Sequence, residues 1–393
     1  MCETLTSRER VIRTLKRLPV DRYPIDLGSH MSTGISAFAY WNLLEKMGLP
    51  TDHIWVPDAV QMLAMVDEPV RRRFHIDCIL LEPPWAETQR WNPWGKYHFQ
   101  IPTKMQPKRN QDGEWQVWQG EESMRMPAGG YFFDGDWLSD WSDEDEDAAI
   151  AGYAQEAKRI YEETDYATNF VGYSRGEGFS AFFGDFERQV IMLQDPQQVM
   201  DENQLQLKQH LRRAGKIIDK MGSYIQLLTI SGDMGTQNGP MCRPALIEKC
   251  TAPYIKQFCD FIHRNSDIKV FLHCCGSIKA LIPMLIDSGV DMLNPVQISA
   301  KNMDPVELKR AFGEKIIFWG GGADTQHVLG QATPAEVAEH VRSLVRVFKP
   351  GGGFVFNQVH NILGNVPPEN IIAMLDTAYE ESFYEDDPGG WSL

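Results

Sequence analysis

Lys269-Val270-Phe271-Leu272-His273-Cys274-Cys275-Gly276 is a short apolar run that ends in two thiols and breaks at a glycine. Its length and composition read as a β-strand, and its flanks carry helical patterns, so it fits a parallel strand covered on both faces. Side chains alternate along a strand, which puts His273 and Cys275 on one side and Cys274 on the other. Seven further runs of the same kind recur along the chain: Tyr23–Leu27, Cys78–Glu82, Thr168–Tyr173, Tyr224–Ser231, Asp291–Pro295, Ile316–Gly320 and Gly353–Gln358. Eight strands alternating with helices predict a single (β/α)8 TIM barrel over residues 1–393.

The intervening segments supply the outer ring of helices. Ser7–Leu18 opens on a serine cap and closes before Pro19; Pro334–Phe348 ends at the stop Lys349-Pro350-Gly351. From about residue 85 to 147 the rhythm changes. Tryptophan and tyrosine accumulate, and Gln111-Asp112-Gly113-Glu114 is a turn between alternating runs, which predicts an antiparallel β insertion after strand 2. The acidic run Ser142-Asp143-Glu144-Asp145-Glu146-Asp147 reads as a solvated linker and helix start.

Bulk properties narrow the function. With 54 acidic against 38 basic residues the net charge is −16, which opposes nonspecific attraction to nucleic acid or an anionic membrane surface. The sequence shows no apolar run that would span a bilayer and no signal-like leader, so a cytosolic location is expected. Seven scattered cysteines, Cys2, Cys78, Cys242, Cys250, Cys259, Cys274 and Cys275, are unlike a disulfide framework and are expected to be reduced. Metal binding by thiolate is then open.

Imidazole nitrogen and thiolate sulfur are both zinc donors, and a barrel's chemistry lies where its strands end. His273 and Cys275 are therefore a candidate ligand pair, although an H-x-C also occurs as a buried thiol beside a hydrogen-bonding histidine. A zinc site that keeps a position open for substrate needs a third protein ligand, and His360, after the eighth run, is the best placed. A histidine bonded to a backbone carbonyl is the alternative for it, and His327 is an alternative ligand. Asp233, in Ser231-Gly232-Asp233-Met234-Gly235-Thr236-Gln237-Asn238-Gly239-Pro240, is placed near the site as an acid/base, a partner of a metal-bound histidine, or a loop cap. Glu177, in Ser174-Arg175-Gly176-Glu177-Gly178, is a further candidate ligand or acid, or a surface residue. Gly320-Gly321-Gly322 matches no Walker pattern and reads as steric room for a substrate.

Taken together, these segments resemble the uroporphyrinogen decarboxylase superfamily, in particular its methyltransferase-like branch. The resemblance is carried by Arg17-Leu18-Pro19-Val20-Asp21-Arg22, Gly232–Gln237, Leu272-His273-Cys274-Cys275-Gly276-Ser277-Ile278, Trp319–Gln326 and Val366-Pro367-Pro368-Glu369-Asn370-Ile371. The arginine-rich signature with which the decarboxylases bind porphyrin carboxylates is missing after Pro24. The methyltransferase members hold zinc through an H-x-C motif and a later cysteine; counting back from Pro368–Ile371, that cysteine falls on His360. The resemblance thus implies a His2Cys zinc site of His273, Cys275 and His360, less electron-rich than the family's HisCys2 site. It further implies transfer of a methyl group between a small O- or S-methyl compound and a corrinoid (cobalamin) on a partner protein. An aromatic methyl ether is suggested by O-demethylating relatives and by the Trp-rich insertion, which could wall an apolar pocket or simply pack as core. A homodimer is compatible with this reading. Competing expectations are a metal-free decarboxylase using Asp233 and arginines such as Arg175, and a noncatalytic corrinoid-binding barrel.

Overall fold

A computed structural model describes residues 3–83, 87–136, 138, 145–172 and 178–384. Seven parallel strands lie side by side in the order Cys78–Leu80, Ala167–Phe170, Leu227–Ser231, Lys269–His273, Met292–Asn294, Ile317–Trp319 and Phe354–Val355. The extended chain at Ile25 closes the ring. It bridges Phe356 in parallel on one side, and on the other its carbonyl accepts the Asp77 N–H at 2.8 Å. The eight expected runs are thus the eight staves of a (β/α)8 barrel. The third is shorter than expected; Phe179–Ser180, farther along, pairs with Ile230 and Ser231 beside it.

Alternation along the strands sorts the side chains into two apolar layers. Cys78, Leu227, Phe271, Met292, Ile317, Trp319 and Val355 cluster together within the barrel. The residues between them, such as Val270, Leu272, Leu293, Phe318 and Phe354, pack with the helices in the larger core.

Helix ends follow local chemistry. Pro334–Phe348 starts at a Thr333/Glu336 capping box and is followed by Gly351, Gly352 and Gly353, all at positive φ. The first helix is Ser7–Leu15. Thr6 rather than Ser7 is its cap, boxed with Glu9, and the chain leaves the helix through Lys16 and left-handed Arg17 before Leu18 is reached. Asp145 accepts the Ala148 N–H and caps Glu146–Glu163, in keeping with the helix-start reading of the acidic run, whose residues 142–144 lie outside the described residues. No helix among the described residues is long and apolar enough to cross a membrane.

The insertion is antiparallel. Thr88–Trp91 pairs with Phe99–Pro102, and Lys108–Arg109, Trp115–Gln119, Glu122–Met126 and Asp134–Gly135 form a second sheet. It also recruits Ile54–Trp55, which precedes strand 2 and pairs in parallel with Phe99 and Gln100. Three of its described tryptophans pack on one another: Trp91 and Trp94 both meet Trp115 edge-on, at 5.3 and 6.0 Å.

Candidate metal centre

Strand register builds one edge of the site. Ser231, His273 and Asn294 are laterally paired where three adjacent strands end. His273 shares the inward parity of Phe271, while Cys274 is fully buried on the other side, its Sγ accepting the Met234 N–H at 3.3 Å. Burial pushes the Cys274 thiol up to about 12, which suits an inert core residue.

Cys275 returns to the His273 side. Its Sγ lies 3.5 Å from His273 Nε2, and with His360 the three donor atoms all fall within 4.8 Å of one another. Tetrahedral zinc with bonds of about 2.0–2.3 Å has N···S edges of about 3.6 Å, so the donor set and the His273–Cys275 edge fit that ion. Burial, followed by the Asp233 charge, pushes the Cys275 thiol up; a bound cation would reverse this by favouring thiolate. Burial likewise lowers the basicity of His273, with Asp233 acting in opposition, so the ring is available as neutral imidazole.

Both imidazoles are oriented from behind. Asn294 Oδ1 lies 3.2 Å from His273 Nδ1, and the other end of the amide is fixed because Nδ2 donates to the Trp319 carbonyl at 2.9 Å. His273 Nδ1 must then be the donor, which leaves the Nε2 lone pair toward Cys275. On the opposite side Asp58 accepts from Gln61 Nε2 at 2.8 Å, Gln61 Oε1 accepts from Asn361 Nδ2 at 3.0 Å, and Asn361 Oδ1 meets His360 Nδ1 at 2.6 Å. A carboxylate can only accept, so every amide in this chain has one orientation and His360 also presents Nε2.

Glycine makes the loop that carries Cys275 possible. Gly276 has φ +92°, and a Cβ there would lie 2.4 Å from the Gly235 carbonyl carbon. Gly235 in turn has no room for a side chain, since its Cβ would meet the Cys275 oxygen at 2.7 Å. The Gly232–Gln237 and Cys275–Ser277 loops therefore touch backbone to backbone, joined by Ser277 N–H to Thr236 O at 2.8 Å. Asp233 Oδ1 accepts the Cys275 N–H at 2.8 Å and stands 3.7 Å from His273 Nε2, with half of its side chain exposed.

Other expected residues are placed differently. His327 is exposed and tied to Asp324 at 3.0 Å, outside the donor cluster. The Gly320–Gly322 run does not leave substrate room: Cβ atoms at Gly320 and Gly322 would meet Asn357 Oδ1 at 2.7 Å and the Phe356 ring at 2.3 Å, so the eighth strand fills that space. Glu177 and Arg175 lie outside the described residues. Sequence reasoning passed over His30, Asn294, Gln61, Asn361 and Asp58. His30 is buried and stacks on His273 with centroids 5.0 Å apart, and burial together with the two neighbouring imidazoles drives its basicity well down.

Two cavities differ in position. One of about 290 Å³ adjoins the His360 relay, lined by Gln61 and Asn361 and by Tyr131, Phe132 and Phe133 of the insertion. A larger one, about 380 Å³, lies at the opposite end of the strands, beside Gln226 and Lys269. Four residues of strand, about 13 Å, separate Lys269 from His273, so of the two the smaller lies nearer the donors, reaching them through Asn361, the neighbour of His360, without being lined by a donor itself.

Residues 208–381 match the family model described as Uroporphyrinogen decarboxylase (URO-D). Over that stretch the family resemblance read from the sequence is borne out. The matched segment contains Asp233, His273, Cys275 and His360. Among solved structures, a methyltransferase from Methanosarcina mazei is similar at 12% identity with a TM-score of 0.58, covering 96% of this chain and 99% of that chain, and so shares the fold. The catalytic domain of a beta-amylase from Paenibacillus polymyxa aligns at 11% identity over 93% of this chain and 99% of its own, with a TM-score of 0.33, too loosely to inform the site. No curated protein matches the sequence.

Proposed function

We propose that the protein is a zinc-dependent methyltransferase that moves a methyl group between a small O- or S-methyl compound and a corrinoid carried by a partner protein. The observation that carries this reading is the convergence of His273, Cys275 and His360 at the strand ends, with both rings oriented to present Nε2. Zinc bound there would act as a Lewis acid toward an oxygen or sulfur of the substrate. With one thiolate and two neutral imidazoles the site would keep more positive charge than a two-thiolate site, which favours the weaker leaving groups of ethers.

The chain's own residues then have distinct tasks. Asn294 and the Asp58–Gln61–Asn361 relay hold the two rings, and Asp233 holds the Cys275 backbone while leaving part of its carboxylate exposed beside His273. The aromatic cavity at Tyr131–Phe133 supports an aromatic methyl ether as donor, since it offers an apolar wall with two amides at its edge. Glu177 belongs to this reading as a further candidate acid. The family match and the fold shared with the Methanosarcina mazei enzyme support the methyl-transfer class.

The test is reconstitution: zinc-loaded protein, free cob(I)alamin as the corrinoid probe, and a panel of methoxyphenols and methyl thioethers. Formation of methylcob(III)alamin with release of the demethylated product is expected. Turnover that is absent from the whole panel in both directions would overturn the proposal.

A further inference from the structure

His30 is held as firmly as the donors beside it. The chain turns at Gly28, at φ +91°, into the short 3-10 helix Met31–Thr33, which His30 caps. Its main-chain N–H donates to Thr33 Oγ1 at 3.0 Å, and its ring stacks against both Phe271 at 5.2 Å and His273 at 5.0 Å. The Ser32 main-chain N–H donates to His30 Nδ1 at 3.0 Å, which makes Nδ1 an acceptor and puts the hydrogen of the neutral ring on Nε2. Ser32 Oγ stands between His30 Nδ1, at 2.8 Å, and Asn294 Oδ1, the oxygen that also receives His273, and its one hydrogen serves one of the two.

The Nε2–H of His30 has no hydrogen-bond partner among the described residues; the residue as a whole is only 4% exposed, but Nε2 is not one of the fully buried atoms left without a partner and so keeps an opening. An N–H that faces open space beside a donor cluster is placed to meet a ligand atom. His30 is not one of the three clustered donors, and with its hydrogen on Nε2 it cannot ligate through that atom.

We propose that His30 is a further catalytic residue, whose Nε2–H donates a hydrogen bond to the substrate heteroatom that gives up the methyl group. This rests on the methyl-transfer reading. In that reaction the carbon–oxygen bond breaks with its electron pair left on oxygen, and the methyl carbon takes the electron pair of the reduced corrinoid cobalt. Charge grows on the oxygen, where a fixed neutral N–H is most effective, and His30 keeps its proton. The phenoxide takes its proton from water after release.

The experiment compares wild type, His30→Ala and His30→Gln, each zinc-loaded, in methyl transfer from 2-methoxyphenol and 4-nitroanisole to cob(I)alamin, with zinc affinity measured separately. The expected result is zinc affinity within about twofold of wild type and a fall in kcat of about a hundredfold for His30→Ala. The fall should be larger for 2-methoxyphenol than for 4-nitroanisole, whose leaving oxygen needs less help, and His30→Gln, which retains an N–H donor, should recover part of it. Equal turnover in wild type and His30→Ala, an equal loss for both ethers, or loss of zinc from His30→Ala would each overturn the catalytic role while leaving methyl transfer standing. No turnover by wild type would overturn the methyl-transfer reading and this role with it.

Discussion

Asn294 joins His273 to the next strand but one: its Oδ1 lies 3.2 Å from His273 Nδ1 and its Nδ2 donates to the Trp319 carbonyl at 2.9 Å. Because the amide cannot flip without losing the Trp319 bond, it selects the His273 tautomer that turns the Nε2 lone pair toward Cys275, as the proposed zinc site requires. Removing such an outer partner typically weakens metal binding about 10–100-fold. Asn294→Ala should lower zinc affinity by that order in a competition titration against a chelating dye, with folded secondary structure unchanged. Affinity within twofold would show that the ring needs no such support.

The relay to His360 makes a graded prediction. Asn361 touches the ring, whereas Gln61 acts one bond farther away. Asn361→Ala should therefore weaken zinc binding more than Gln61→Leu, and the double variant should lose little beyond Asn361→Ala alone, because the two act through one path. Additive losses would show that Gln61 acts by another route.

Gly276→Ala should strain the ligand loop itself, because the new Cβ would meet the backbone at Gly235. A destabilisation of about 1–3 kcal/mol by urea unfolding, with weakened zinc uptake, is expected. Gly239→Ala is the control: it has ordinary φ and no atom within 4 Å of the added Cβ, so it should be close to neutral.

The far end of the barrel gives a pH prediction. Arg10 binds Asp21 at 2.8 Å and Asp77 at 2.6 Å, and Arg22 binds Asp77 at 2.7 Å. Burial would raise the Asp21 carboxyl, but the Arg10 hydrogen bond and the N–H groups of Thr4 and Leu5 override it and hold it well below the usual range. A carboxylate depressed on folding adds stability that is fully present above its unfolded value near pH 4, and that stability is lost as pH falls through the folded value. Unfolding free energy should therefore decline as pH falls below about 4, and Asp21→Asn should flatten that decline while lowering stability at neutral pH. An unchanged acid limb would count against the ion-pair account of the Arg17–Arg22 motif.

The strands were legible because a stave buried on both faces must be apolar along its length, and the parity of His273 and Cys275 followed from alternation alone. His360 could be placed because it follows the last stave. What was hidden depends on what lies opposite. His30 caps a three-residue 3-10 turn without periodicity, and Asn294 precedes Pro295 at a strand end where asparagine looks like turn chemistry. The glycines at 320–322 were misjudged for the same reason: nothing near them in sequence reveals that Phe356 and Asn357 occupy the space they leave. Trp91, Trp94 and Trp115 of the insertion went to its own packing, and Tyr131–Phe133 line the cavity instead.

The central claim is that His273, Cys275 and His360 hold one zinc ion. Metal analysis of the anaerobically purified protein, alongside His273→Ala, Cys275→Ala and His360→Ala, tests it most directly. About one equivalent of zinc in wild type, with each variant losing most of it, is the predicted result. No zinc in wild type and none taken up on addition, or full retention by the three variants, would contradict it.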